Sequence, residues 1–232
     1  MIELNDLYDY ENYKIYQNSD YFKFSLDSIL LAEVVPKNNL NAKIIDLCTG
    51  NAAIPLVLDY YGFNDVTGIE LQPEIYELAK KSLEYNKANI KMINNNIKNL
   101  TSIFKSEEFD IITCNPPYFK VNDTSLINTN KVKAIARHEL ELNLDDIFRN
   151  SSYILKNDGC MFMVHRVERL SEIIKIADKY RLIVKELYFL ATKNDKIEMV
   201  LIKLVKNGKE GLKINSIVNI NEYSTYKHLF EK

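Results

Sequence analysis

Residues 109–119 read FDIITCNPPYF, an apolar segment that runs directly into a pair of prolines. Its first six residues are rich in β-branched and aromatic side chains, which is typical of a buried strand. Pro116 and Pro117 cannot continue a sheet ladder, because neither has an N–H group and both restrict φ. The segment therefore predicts a stiff loop at the carboxyl end of a strand, which is where open α/β sheets bind their ligands.

Asn115, Pro116, Pro117 and Tyr118 resemble the catalytic Asn-Pro-Pro-Tyr motif of S-adenosylmethionine-dependent amino-methyltransferases. An exocyclic amine on adenine is a poor nucleophile, because its lone pair is delocalised into the ring. The resemblance implies that the Asn115 side-chain oxygen and the Pro116 carbonyl each accept one amine hydrogen, which turns the lone pair toward the methyl donor. Tyr118 would stack on the flipped-out base. The alternative is a rigid turn without a chemical role.

Composition limits the classes of protein that the chain can belong to. Its 232 residues suffice for one sizeable domain with a small appendage, and a hydrophobic fraction of 47% excludes a disordered protein. The net charge of −2 provides no overall attraction to nucleic acid, so an RNA contact requires a local basic patch. The chain has three cysteines and no CxxC pair, which indicates reduced thiols in a cytoplasmic protein. It has no apolar run of membrane-spanning length and its N-terminus is acidic, so we expect no membrane partner.

A second motif follows the predicted strand at residues 43–47. An acidic residue at a strand end, followed by a glycine turn into a helix, resembles methyltransferase motif I, usually Asp-x-Gly-x-Gly-x-Gly. Only Gly50 of the three glycines is present, and Cys48 and Ala52 are small enough that the loop can still fit a cofactor. The resemblance places four residues at the cofactor: Asp46, Cys48, Gly50 and Asn51.

Two further turns carry polar residues in the order expected of a nucleoside site. Glu70 ends a predicted strand at residues 66–70, and a carboxylate there can accept from both ribose hydroxyls. Asn96 follows a predicted strand at residues 90–93. The resemblance implies that it replaces an Asp that contacts the amino group of the cofactor's adenine, and the Asn96 amide oxygen can accept the same hydrogen bond. An exposed charge and ordinary asparagine turn chemistry are the alternatives. Three more residues are assigned to the same cofactor: Leu71, Ile97 and Asn115, the last of which is also assigned to catalysis.

The N-terminal part of the chain does not follow the alternation of strands and helices found in the rest. Residues 13–17 and 21–24 predict a β-hairpin. Ser25 or Asp27 then caps a predicted helix that Pro36 ends. In the family that the chain resembles, this stretch closes over the methionine end of the cofactor, which assigns Asp27 to cofactor binding. Packing on the sheet edge is the alternative.

The segment after the Asn-Pro-Pro-Tyr loop, about residues 120–140, is longer than a usual connection and is locally basic. We expect it to face the substrate, although a solvated charged loop is the alternative. Four residues are assigned to RNA contact: Phe119, Lys120, Arg137 and His138. No second ligand lies at metal-site spacing from His138, so we expect no metal.

The order of predicted elements indicates an α/β fold. It is Rossmann-like, with a seven-stranded, mostly parallel sheet whose last strand is antiparallel, as in class I methyltransferases. Residues 1–40 are expected to form a hairpin and helix extension. Residues 41–206 would form the methyltransferase domain, and residues 207–232 a C-terminal tail that packs on it or follows it.

Residues 24–32 and the Arg137-His138-Glu139 triplet, added to these motifs, resemble the bacterial tRNA1(Val) (adenine-37-N6)-methyltransferase family. The resemblance implies S-adenosylmethionine as cofactor and a tRNA substrate that is methylated on an adenine beside the anticodon. We expect a monomer.

Three other functions fit parts of the sequence. Enzymes that methylate a glutamine nitrogen of release factors share the Asn-Pro-Pro-Tyr motif, but they carry a helical N-terminal domain, and only about forty residues precede the first sheet strand here. Methylation of an amino group in ribosomal RNA is the second. The third is a catalytically silent RNA-binding platform, which the loss of two motif I glycines supports.

Overall fold

The computed structural model describes residues 1–19, 24–118, 143–192 and 196–229. Helices cover both faces of a central sheet. None of the helices in these ranges has the length and apolar character that a membrane crossing requires.

The strands are β1 (Ile2–Asp6), β2 (Lys14–Asn18), β3 (Ile44–Leu47), β4 (Val66–Glu70), β5 (Lys91–Asn94), β6 (Phe109–Cys114), β7 (Leu155–Arg166), β8 (Leu182–Ala191), β9 (Ile197–Lys206), β10 (Lys213–Ile214) and β11 (Val218–Asn219). The α-helices are α1 (Leu26–Glu33), α2 (Ala53–Tyr60), α3 (Pro73–Asn86), α4 (Leu100–Ile103), α5 (Leu144–Ile154) and α6 (Leu170–Lys179). Short 3-10 turns lie at Ile97–Asn99, Val167–Arg169, Tyr223–Thr225 and Lys227–Leu229.

The main sheet has the order β10-β8-β9-β7-β6-β3-β4-β5, and β11 also pairs with β8. Strands β3 to β7 pair in parallel, whereas β9 is antiparallel to both of its neighbours, β7 and β8. The predicted Rossmann-like fold, with its last long strand reversed, is thereby confirmed. Beyond the predicted strands, the tail adds two short ones, β10 and β11, which lie parallel to β8.

The central strands are buried from both sides of the sheet. All four residues of β3 are buried. Ile44 packs into the core beneath α1, α2 and α3, whereas Ile45 packs into the core on the opposite face, beneath α5 and α6. Parallel strands covered on both faces read as nearly continuous apolar runs, and this is why residues 44–47 and 109–114 show little alternation.

The N-terminal part of the chain forms a hairpin between β2 and β1, a strand that was not predicted. β2 pairs with β1 in antiparallel register, from Ile2 opposite Asn18 to Asp6 opposite Lys14. The predicted partner, residues 21–24, lies outside the described residues except for its last position. The loop between β1 and β2 is closed by a 2.9 Å hydrogen bond from the Leu7 N–H to the Tyr13 carbonyl, and Leu7 is fully buried.

Helix α1 forms as predicted, with Ser25 at its N-cap position and an end at Glu33, before Pro36. Ile29, Leu30 and Leu31 are fully buried in the core that α1 shares with α2. The helix is therefore packed on the sheet, and its first turn lies near the carboxyl ends of the central strands.

Candidate functional site

A cleft opens where β3, β4, β5 and β6 end. The cleft and the solvent at its mouth together occupy about 1200 Å³. Turns that are far apart in the sequence meet there, as expected at the carboxyl edge of a parallel sheet. The predicted residues that line the cleft are Cys48, Gly50, Asn51, Glu70, Leu71, Asn96, Ile97, Asn115, Pro116, Pro117 and Tyr118.

The turn after β3 keeps the backbone path that glycines favour. Cys48, Gly50 and Ala52 have φ values of +58°, +59° and +71°. This left-handed conformation costs a residue with a Cβ atom about 1–2 kcal/mol, so Cys48 and Ala52 are strained. A Cβ atom on Gly50 would meet no heavy atom within 4 Å, because the backbone there faces the open cleft. The departures from motif I thus add strain but leave room for a ligand beside Gly50.

Glu70, at the end of β4, is held by backbone donors. Its Oε2 accepts from the Gly50 N–H at 2.9 Å, and its Oε1 accepts from the Gln72 N–H at 2.9 Å. Burial raises the pKa of the Glu70 carboxyl, and the backbone hydrogen bonds oppose that rise. Each oxygen retains a second lone pair, so the carboxylate can accept from a ribose hydroxyl as well.

Asp46 lies beneath the turn and is not part of the cleft lining. Its fully buried carboxylate accepts from Thr49 Oγ1 at 2.5 Å and from Thr113 Oγ1 at 2.6 Å. Burial, which these two hydrogen bonds only partly offset, raises the pKa of Asp46 to about 7. The side chain that was predicted to bind the cofactor therefore connects the turn to β6.

Asn96 lines the cleft in the turn after β5. Its side-chain oxygen accepts from the Lys98 N–H at 2.9 Å, which starts the following 3-10 turn. One lone pair of that oxygen remains for the predicted adenine contact. Leu71 and Ile97 add apolar wall on either side.

The Asn-Pro-Pro-Tyr loop is tied to the first turn of α1. Asn115 Nδ2 donates to Ser28 Oγ at 2.7 Å. The Tyr118 hydroxyl donates to Asp27 Oδ2 at 2.8 Å and also contacts Asn115 Oδ1. Burial, together with the Asp27 charge, raises the pKa of Tyr118 well above its usual value, so the phenol stays protonated. Asp27, which was predicted to bind the cofactor, is directed at Tyr118 and does not line the cleft.

β7 places a buried histidine against the ring of Tyr118. The ring centroids of Tyr118 and His165 are 5.4 Å apart at an interplanar angle of 65°, which is an edge-to-face contact. His165 Nδ1 accepts from the Arg166 N–H at 2.8 Å, and burial lowers the pKa of His165 to about 4. The imidazole is therefore neutral at pH 7 with its proton on Nε2. Sequence reading missed this residue, although a histidine ending the apolar run of residues 161–164 was a signal.

Several lining residues were not assigned to the site from the sequence: Phe24, Ser28, Thr49, Ala53, Ile54, Ile69, Gln72 and Ile75. Ser28 had no detectable signal, because 87 positions separate it from its partner Asn115. Ile75 lies in the first turn of α3 and fits the helical apolar pattern equally well as a core residue.

The predicted RNA contacts Phe119, Lys120, Arg137 and His138 lie outside the described residues. Within residues 1–19, 24–118, 143–192 and 196–229, no group of three or more His, Cys, Asp or Glu side chains is arranged to hold a metal ion.

The lining fits a nucleoside with a charged side group, such as S-adenosylmethionine. Glu70 offers acceptor lone pairs for ribose hydroxyls, and Asn96 offers an acceptor for a base amine. The open backbone at Gly50 permits a close approach. Asn115 lies on the wall of the same cleft, so a group bound by its amide would face whatever occupies the nucleoside site.

Comparisons with known proteins agree with this arrangement. A family model for the methyltransferase small domain matches residues 21–179. A tRNA1(Val) (adenine(37)-N6)-methyltransferase from Cytophaga hutchinsonii is 24% identical over 183 residues, which cover 78% of this chain and 75% of that protein. A release factor glutamine methyltransferase from Thermodesulfovibrio yellowstonii is 30% identical over 152 residues, which cover 58% of this chain and 52% of that protein. The structure of a predicted O-methyltransferase from Agrobacterium tumefaciens has a TM-score of 0.65 at 20% identity, covering 84% of this chain and 88% of that one, and this likeness concerns the fold.

Proposed function

The chain belongs to the methyltransferase small domain family, and from this premise we propose that it methylates the exocyclic N6 amino group of an adenine in tRNA. The methyl donor is S-adenosylmethionine, whose sulfonium supplies an activated methyl group. The target is the adenine beside the anticodon, at position 37, as in the name of the Cytophaga hutchinsonii relative.

The observation that carries the proposal is the fixed side-chain amide of Asn115 on the cleft wall. Nδ2 donates to Ser28 Oγ at 2.7 Å, which holds the amide on the cleft wall and leaves Oδ1 as its acceptor. An amine that donates to Oδ1 and to the Pro116 carbonyl is turned so that its lone pair faces the methyl donor. This orientation is what a weakly nucleophilic planar nitrogen needs.

Cofactor binding is assigned to the opposite side of the cleft. Glu70 would accept from the ribose, Asn96 from the adenine amine, and the backbone of Cys48, Gly50 and Asn51 would lie against the rest of the cofactor. The left-handed φ values of Cys48 and Ala52 support this assignment, because the turn keeps a path that glycines would take. That finding favours an active enzyme over a catalytically silent platform.

Adenine in tRNA is preferred over glutamine in a release factor on the extent of the similarity. The tRNA-modifying relative aligns over 75% of its length, whereas the release factor enzyme aligns over 52% of its length. We propose that the enzyme acts in the cytoplasm on a tRNA partner and that it is a monomer, which sedimentation of the purified protein would test.

One assay separates the candidate substrates. The protein is incubated with methyl-labelled S-adenosylmethionine and, in parallel, with unmodified tRNA, ribosomal RNA or a release factor. We expect label in tRNA alone, recovered as N6-methyladenosine after digestion to nucleosides. Label in ribosomal RNA or on a glutamine, or in none of the three, would overturn the proposed substrate.

A further inference from the structure

We propose that Asp27 is a positioning residue for the methyl-acceptor amine: it accepts the Tyr118 hydroxyl so that the Asn115 side-chain oxygen is available to the amine. The inference rests on the proposed role of the Asn-Pro-Pro-Tyr loop. It gives Asp27 a task different from cofactor binding.

The Tyr118 hydroxyl lies between two acceptors. It is 2.8 Å from Asp27 Oδ2 and is also in hydrogen-bond contact with Asn115 Oδ1. A phenol has one proton and can fully satisfy only one of them. A carboxylate is the stronger acceptor, because a hydrogen bond to a charged group is about twice as strong as one between neutral groups. Asp27 therefore draws the proton away from Asn115.

The Asn115 oxygen is the atom for which the phenol and the incoming amine compete. Ser28 holds the amide nitrogen on its other side at 2.7 Å, so the amide offers the cleft one acceptor rather than a choice of two groups. The oxygen has two lone pairs, but once it accepts the phenol proton it is a weaker acceptor for the amine, because the phenol draws electron density from it. With Asp27 present, the hydroxyl keeps a partner when the amine arrives.

Asp27 is itself fixed by the helix that carries it. Its Oδ1 accepts from the Ser28 N–H at 3.0 Å and from the Ser25 hydroxyl. Oδ2 is thereby directed at Tyr118. Since Asp27 does not line the cleft, its influence on the reaction passes through Tyr118 rather than through the cofactor.

The test is a double-mutant cycle on Asp27→Asn and Tyr118→Phe. In D27N the side-chain oxygen takes the place of Oδ1 and accepts from the Ser28 N–H and the Ser25 hydroxyl. The amide nitrogen then faces Tyr118, and it cannot accept the phenol proton. D27N therefore preserves the start of α1 but forces the phenol onto Asn115. Y118F removes the competing hydroxyl and keeps the ring against His165.

We expect D27N to lower kcat/KM for the acceptor about fivefold, because the hydrogen bond from the amine to the Asn115 oxygen is weakened. In the Y118F background the same change should cost less than about twofold, since no hydroxyl remains to compete. The affinity for S-adenosylmethionine, measured by calorimetry, should stay within about twofold throughout. Equal losses from D27N in both backgrounds, or a matching loss of cofactor affinity, would overturn the inference.

Asp59→Asn is the matched control. Asp59 Oδ2 accepts from the Tyr13 hydroxyl at 2.7 Å, which is the same type of pair on α2 and away from the cleft lining. D59N should leave kcat/KM unchanged, and a loss equal to that of D27N would also overturn the inference.

The cycle is read on whichever acceptor the wild-type protein methylates, because adenine and glutamine both present a planar NH₂ to Asn115. Methylation of glutamine with the expected cycle would reject the proposed substrate and support the inference. Methylation of tRNA, with D27N lowering kcat/KM equally in the wild-type and Y118F backgrounds, would support the proposed substrate and reject the inference. A wild-type protein that methylates neither acceptor would reject both.

Discussion

Replacing Asp46 by asparagine should change how the stability of the protein depends on pH. The Asp46 carboxyl is fully buried and is held by the hydroxyls of Thr49 and Thr113 at 2.5 and 2.6 Å. Asparagine has the same shape but no charge. Its amide nitrogen can donate to one of these hydroxyls, which rotate freely enough to accept. The substitution therefore removes the buried ionisation and leaves the packing intact.

The magnitude follows from the pKa of Asp46, which is about 7 in the folded protein against 3.8 for the unperturbed group. Between these two pH values the folded protein holds a proton that the unfolded chain has released, so stability falls as pH rises. The contribution is complete below the unfolded pKa and is lost once pH passes about 7. A shift of about three units, at about 1.4 kcal/mol per unit, amounts to roughly 4 kcal/mol.

Urea unfolding of the wild-type protein and D46N at pH 4 and pH 8 measures this difference. We expect the free energy of unfolding of D46N, relative to wild type, to rise by roughly 4 kcal/mol from the lower to the higher pH. A difference that stays constant with pH would refute the reasoning, because Asp46 would then be ionised throughout.

The same variant tests the place of Asp46 in the site. Because its carboxylate is not part of the cleft lining, calorimetry should find the affinity of D46N for S-adenosylmethionine within about threefold of wild type, the scatter expected when no contact is lost. A loss beyond tenfold, about 1.4 kcal/mol, would restore the predicted role as a cofactor ligand.

Three further substitutions divide the cleft into its two halves. Glu70→Gln should weaken S-adenosylmethionine binding about tenfold by removing a charged acceptor, with kcat unchanged at saturating donor; calorimetry showing full affinity would contradict the ribose assignment. Asn115→Ala should leave cofactor affinity nearly intact while the single-turnover rate drops by roughly 1–4 kcal/mol of lost orientation, and parallel losses in both would count against this division. Tyr118→Ala should raise the Kd for tRNA more than that for the cofactor, by roughly 1–3 kcal/mol of stacking, and equal RNA affinity of the two proteins in a filter-binding assay would exclude stacking.

The sequence predicted the central strands and the loops that follow them, because these features depend on neighbouring residues in the chain. Pro116 and Pro117 end a strand wherever they occur, and the apolar run before them favours a buried strand. Cys48 and Ala52 were small enough to suggest that the motif I turn would survive, and their φ values of +58° and +71° show how it does. Glu70 and Asn96, which were predicted to accept from the ribose and the base of the cofactor, both line the cleft.

Other features escaped prediction because they depend on contacts across the fold. Ser28 meets Asn115 across 87 positions, and Asp27 meets Tyr118 across 91 positions. The partner of β2 is β1, which was not predicted, and the tail contributes two strands beside β8. The sequence near these residues has no hydrophobic periodicity or motif that indicates which partner each of them contacts.

The sequence by itself determined the class of fold, the succession of its main strands and helices along the chain, and the edge of the sheet at which the site lies. Those properties follow from hydrophobic periodicity and from residues that restrict their own backbone. Only the tertiary structure decided which polar atoms meet: that Asp46 joins two threonines beneath the turn, and that Asp27 is directed at Tyr118. The physical reason is that buried polar groups must find partners, and which partner is within reach is settled by packing rather than by spacing along the chain.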